Sequence, residues 1–164
     1  MKIEYKIEQS EYIKLMFFQT YKRPLFIGIT LLGLIHLYFI IENLFLYEMF
    51  YEFTSLFIVL FTLVFYPILL YVRFQKFYRS HKILGLRTIS EIDEKGFSDT
   101  GEGFEAKILW ENIYKVKELK NWILVYHNST AYGFLPKRVL SGNQIQEFRN
   151  IVTQKNIKSE LLKG

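Results

Sequence analysis

Two stretches without a single charged side chain set the terms for this chain. Pro24 to Ile41 reads PLFIGITLLGLIHLYFII, and Phe53 to Val72 reads FTSLFIVLFTLVFYPILLYV. As helices at 1.5 Å per residue they measure about 27 and about 30 Å, close to the roughly 30 Å hydrocarbon core of a bilayer. Inside a soluble protein, helices apolar on every face need a large core around them. The chain has 164 residues, and its polar remainder is too short to supply that core. A secretory signal peptide fits poorly: the first run follows a polar stretch, lacks a small-x-small exit and is succeeded by a second run. Lipid offers peptide groups no partners and two strands cannot close a barrel, so both runs are helical. The reading is a two-helix transmembrane hairpin.

Charge placement orients it. Lys22 and Arg23 precede the first run; Arg73, Lys76, Arg79 and Lys82 follow the second. The segment between them contains Glu42, Glu48 and Glu52 and neither Lys nor Arg. Basic flanks stay on the cytoplasmic side, so both termini are expected in the cytoplasm with an acidic loop outside. Tyr38, Tyr47, Tyr51, Tyr66 and Tyr71 fall in or near the interfacial belts. The six flanking cations attract anionic headgroups without stereospecificity. They also account for much of the net charge of +5, which removes the motive for a nucleic-acid partner. Pro24 suits a first helical turn, whereas Pro67 lies inside the second run and predicts a kink near Phe65–Pro67. Gly33, with Thr30 and Leu37, marks a helix-packing face without a GxxxG motif.

The remainder alternates. Ile3, Tyr5 and Ile7 interleave with Lys2, Glu4, Lys6 and Glu8, a strand signal. A short helix capped by Ser10 follows it. Beyond the second run, a basic helix from Arg73 to Leu84 is stopped by Gly85. Short strands are then expected over 86–92, 97–100, 104–110, 113–119, 122–127 and 131–135, separated by turn residues. Trp110 falls on the apolar phase of its strand. Ser141 or Asn143 caps a last helix whose stripe is Ile145, Phe148, Ile151 and Val152. The simplest packing is one strongly curved antiparallel sheet closed at an edge by that helix. The fold class is an α+β membrane protein. Its parts are a strand and short helix (1–23), a first span (24–41), an outer loop (42–52), a second span (53–72), a basic juxtamembrane helix (73–85) and a cytoplasmic domain (86–164).

Within that domain, ISEIDEKGF is followed by ILWENIYKVKELKNWILVY, then FLPKRVL and a helix holding EFRNIV. With the two preceding spans, this arrangement resembles the YcxB-like family of small bacterial membrane proteins. The W-x-x-I pair Trp110 and Ile113, the strand ending Val125-Tyr126, and Leu135-Pro136-Lys137 carry most of the resemblance. It implies a C-terminal domain similar to bacterial pleckstrin-homology-like (PH-like) modules, and it brings no catalytic or ligand residues with it. PH-like domains elsewhere grip phosphoinositides with basic residues around the first hairpin. Here that hairpin holds Glu91, Asp93 and Glu94 against Lys95 alone, a poor anion cradle.

The function classes narrow accordingly. With Cys absent, disulfides and thiolate metal sites are excluded, and His36, His81 and His127 are too scattered to form a short-spaced ligand set. No nucleophile stands near His127, and neither span carries Asp, Glu, Lys or Arg, so no enzyme activity and no cofactor are expected. His36 is expected to be neutral and to contact the partner helix. The expected role is a membrane-anchored adaptor or regulatory protein. Its PH-like domain binds a protein partner, with Lys137, Arg138, Glu42, Glu48 and Glu52 as candidate contacts and homo-oligomers open. The alternative is self-protection against a secreted toxin or cationic antimicrobial peptide, met by the acidic outer loop. A lipid sensor or a transporter subunit ranks below both.

Overall fold

A computed structural model describes residues 1–46 and 52–162. Tyr47, Glu48 and Tyr51 lie outside the described residues. The chain divides into two compact units. One is Glu8–Lys82; the other joins Met1–Ile7 to Ile83–Gly164.

The first unit is helical. α1 (Gln9–Tyr21) starts from Glu8 rather than Ser10, and the Glu8 backbone N–H donates to Glu11 Oε2 at 3.1 Å. A carboxylate three residues into the helix closes the first turn, so the helix begins ahead of the serine. α2 (Pro24–Leu46) opens on its proline and runs past Ile41, so Glu42 sits on a helix rather than in a loop. α3 (Glu52–Val59), a π-helical turn (Leu60–Phe65) and α4 (Tyr66–Ser80) follow without a break. Pro67 has no N–H to offer Leu63, and the disturbance falls just before it. It takes the form of a widened turn in which the Tyr66 N–H reaches the Phe61 carbonyl, five residues back. α4 stops at Ser80, and a 3-10 turn (Lys82–Gly85) occupies what the sequence suggested as more helix.

Three contacts fix α2 antiparallel to this second helix. Phe26 stacks on Tyr66 at 5.7 Å, Gly33 is buried against Thr62 and Leu63, and His36 Nδ1 lies 3.1 Å from Ser55 Oγ. A side chain at Gly33 would collide with the Thr62 hydroxyl, so only glycine permits this approach. Thr30 and Thr62 return their hydroxyls to the carbonyls of Phe26 and Ile58, which keeps both donors satisfied within their own helices. α1 packs on α4 through Tyr12 against Phe77 and Phe17 edge-on to Phe74.

The second unit holds two sheets, not one. β1 (Lys2–Tyr5), β2 (Thr88–Ile92), β3 (Gly96–Gly101) and β4 (Phe104–Leu109) form an antiparallel sheet in that order. The other sheet runs β7 (Tyr132–Pro136), β6 (Trp122–Tyr126), β5 (Lys115–Glu118), β8 (Ser159–Glu160), and β5 and β8 are parallel. The split falls at Trp110. It forms a 3-10 turn (Trp110–Asn112) instead of extending a strand, because its indole N–H donates to the Asp93 carbonyl at 2.8 Å. α5 (Gly142–Gln154) is capped by Ser141 and Gln144, as the sequence suggests. It presents Phe148 and Val152 to a core of Ile92, Val116, Ile123, Val125 and Leu135, all nearly inaccessible.

Candidate interaction surface

In the helical unit the cations that flank the two apolar helices gather at one end. The antiparallel register places Lys22 and Arg23, before α2, at the end where Arg73, Lys76 and Arg79 leave the second helix; Lys82 follows in the 3-10 turn. All six are exposed, and Lys22 Nζ rests 4.0 Å above the Phe18 ring. Glu42 lies at the opposite end and is also exposed. Between these ends, Pro24–Asn43 and Phe53–Ser80 are long and apolar enough to cross a membrane. Only 6% of the first window and 17% of the second is buried, so neither serves as the core helix of a globular body.

In the second unit two half-buried cations converge on a buried carboxylate. The Glu118 side chain is 1% exposed. It accepts from Lys137 Nζ at 2.5 Å, from Arg149 Nε and an Arg149 terminal nitrogen at 2.9 Å each, and from the Leu162 backbone N–H at 3.2 Å. Burial pushes its carboxyl up, but Arg149, Lys137 and the Leu162 amide together overcome this and hold it below the usual glutamate range. Lys137 is therefore not a free cation for a partner; its charge is engaged on Glu118. Arg138, beside it, is exposed and donates to the Lys6 carbonyl at 2.8 Å, tying the turn before α5 to the chain just after β1. Nothing in the sequence singles out Glu118, which falls within the expected strand 113–119. Its one local signal is position, on the same phase as buried Val116.

A second buried polar group lines the first sheet. Ser90 donates to Asp99 and also to the Tyr5 hydroxyl at 3.3 Å. Burial raises the pKa of Asp99, opposed by the Ser90 bond and the charge of His127. Burial raises Tyr5 as well, reinforced by Asp99. Ser90 thus bridges Tyr5 and Asp99 across the sheet.

Two surface depressions lie on this unit. One, of about 410 Å³, is lined by Glu94, Lys95, Leu109, Trp110, Glu111 and Lys155. The other, of about 510 Å³, includes Glu4, Lys6, Arg87, Thr100 and Glu102. Each mixes both signs of charge, and Arg87 already pairs with Glu4 at 3.4 Å. In the first hairpin Asp93 accepts from the Lys95 and Gly96 backbone N–H groups. Those bonds hold its carboxyl below the usual range. The turn is thus built on a carboxylate and offers no cage of cations to a phosphate. Among the described residues no group of three or more His, Asp or Glu is placed to hold a metal ion.

Residues 92–152 match the family model described as YcxB-like protein. The match runs from the last residue of β2 through most of α5, and includes Trp110, Glu118, Lys137, Phe148 and Arg149. No curated protein and no solved structure matches the chain.

Proposed function

We propose that this chain, YcxB-like over 92–152, is a non-enzymatic adaptor of the bacterial cell membrane. The two apolar helices cross the bilayer, both termini lie in the cytoplasm, and the domain completed by β1 is PH-like and docks a protein partner. The observation that carries the reading is the sorting of charge along the helical unit, with cations at one end, Glu42 at the other and largely uncovered apolar surface between. The pairing of β1 with β2 supports it independently. Lys2 opposes Glu91 and Tyr5 opposes Thr88, so a chain that enters the membrane between them must also return. Two spans satisfy this and one does not. Two strand layers followed by a C-terminal helix are compatible with a PH-like domain. Protein contact is favoured over headgroup recognition because the first hairpin is acidic and the depressions carry mixed charge. The flanking cations supply a general, salt-sensitive attraction to anionic lipid.

The topology is tested with single cysteines, which the natural absence of cysteine makes clean. Ser10→Cys, Asn43→Cys and Ser129→Cys are treated in intact cells with a membrane-impermeant maleimide. Only the Asn43 site should react; labelling at Ser129 would overturn the orientation. A photo-crosslinking amino acid at exposed Tyr114 should give a discrete, protease-sensitive adduct in membranes. Adducts to lipid alone would overturn the docking role.

A further inference from the structure

The first sheet is finished on one side and open on the other. Its inward face is built from cross-strand rows, one of which is Ile3, Ser90, Asp99 and Ala106. Ile3 and Ser90 are buried, Asp99 is half-buried and Ala106 is exposed. The neighbouring rows end in Phe104 and Ile108, also only half-buried. Among the described residues the only strand paired with β4 is β3. At the other edge, Arg138 ties the chain just past β1 to the turn before α5. β4 has no proline and no bulge, and its two charges, Glu105 and Lys107, are of opposite sign and lie on the outward phase.

The sequence of β4 is complementary to itself when reversed. Laid antiparallel on a second copy about Ala106, Phe104 faces Ile108, Glu105 faces Lys107 and Ala106 faces Ala106, with each unlike pair occurring twice. Opposite charges directly across an antiparallel pair attract and like charges repel, and apolar partners on the other face extend the half-buried rows. The small side chain falls on the twofold axis, where two residues approach most closely. We propose that β4 is an isologous docking edge for a second copy of this chain, giving one continuous sheet across the pair. A one-residue slip sets Glu105 against Ala106 or Ile108 and loses both charge pairs, which fixes the register.

Directly opposed residues in an antiparallel pair have Cα atoms about 4.5–5.5 Å apart, within reach of a disulfide. The test uses the full chain in isolated membranes under mild oxidation, with Ser129→Cys as the exposed control. Ala106→Cys should form a covalent dimer and the control should not. Adding Lys107→Glu, which sets Glu against Glu twice, should slow that cross-link about tenfold. Exchanging both charges, Glu105→Lys with Lys107→Glu, should restore it. Tryptophan emission verifies that each variant is folded, since Trp110 and Trp122 both lie in this unit. Cross-linking at 106 no faster than at 129, adducts to other proteins only, or indifference to single charge reversal would each overturn the pairing.

Discussion

Replacing Lys137 and Arg149 together by methionine is expected to cost the second unit about 3–5 kcal/mol, the penalty for leaving a buried charge uncompensated. The double change strips Glu118 of both cations while its side chain stays 1% exposed. That loss is a large part of the stability of an ordinary domain. Replacing Glu118 by leucine in the same background should return most of the loss, because no charged side chain is then left in the cluster. Failure of the triple variant to recover would mean that the cations, not the carboxylate, carry the packing. Denaturant unfolding followed by tryptophan emission reads this unit, since both Trp residues of the chain lie in it.

The pH dependence follows with a definite sign. Desolvation opposes the charge on Glu118, but Arg149, Lys137 and the Leu162 amide keep its folded pKa below the unfolded value. Its stabilising contribution is therefore complete above the unfolded glutamate pKa and is lost as pH falls through the folded one. Glu160, held low first by Lys117 and then by Lys115, acts in the same direction. Asp99, raised by burial, acts oppositely: its contribution is complete below the unfolded pKa and is lost as pH rises through the folded one. In the double variant Glu118 is bare, its folded pKa moves above the unfolded value, and protonation relieves the penalty. The gap between native and double-variant stability should thus close on acidification. A gap constant from neutral pH to pH 4 would remove Glu118 from the account.

Phe148→Ala is the second large expected loss. Phe148 is 1% exposed on α5, with Trp110 6.4 Å away across a tilted ring contact. Removing a buried phenylalanine costs about 3–5 kcal/mol, from lost transfer energy and the cavity that remains. The unfolding midpoint should fall without a matching change in slope. Trp110 emission should shift to the red as its neighbour disappears. The full chain is the proper material, because a fragment beginning at Leu86 omits β1 and with it buried Ile3 and Tyr5. An unchanged midpoint would place α5 outside the core.

What was legible depended on how local the cause was. The two apolar helices are visible because charge is excluded over a continuous length, a property no distant partner can alter. The alternation of β1 and β4, the apolar run of β6 and the Ser141 cap are likewise written within a few residues. The division into two sheets was not, because it turns on the Trp110 indole reaching the Asp93 carbonyl 17 residues back. β8 is only two residues long and forms against β5 after α5 reverses the chain. The Glu118 cluster was hidden for the same reason. Its cations lie 19 and 31 residues downstream, and in KVKEL a glutamate looks solvated until the burial of its phase is known. Lys137 was misplaced with it: a lysine after a proline looks like a surface charge unless its partner is in view.

The strand that closes the first sheet is made well before the strand it pairs with. Tyr5 and its partner Ser90 are 85 residues apart, so at about 5–20 residues per second β1 waits roughly 4–17 s for the strand it needs. Throughout that interval Ile3 and Tyr5 have no sheet to enter, and the helical unit must emerge before one exists. The loop is costly to close but only logarithmically so, and the closure is late rather than forbidden. Completion of the sheet therefore records that everything between its first two strands has been produced and has returned the chain to where it began. A chain whose helices go astray keeps its amino-terminal strand unspent and its sheet one strand short, a difference that proteolytic surveillance can read without inspecting the helices at all.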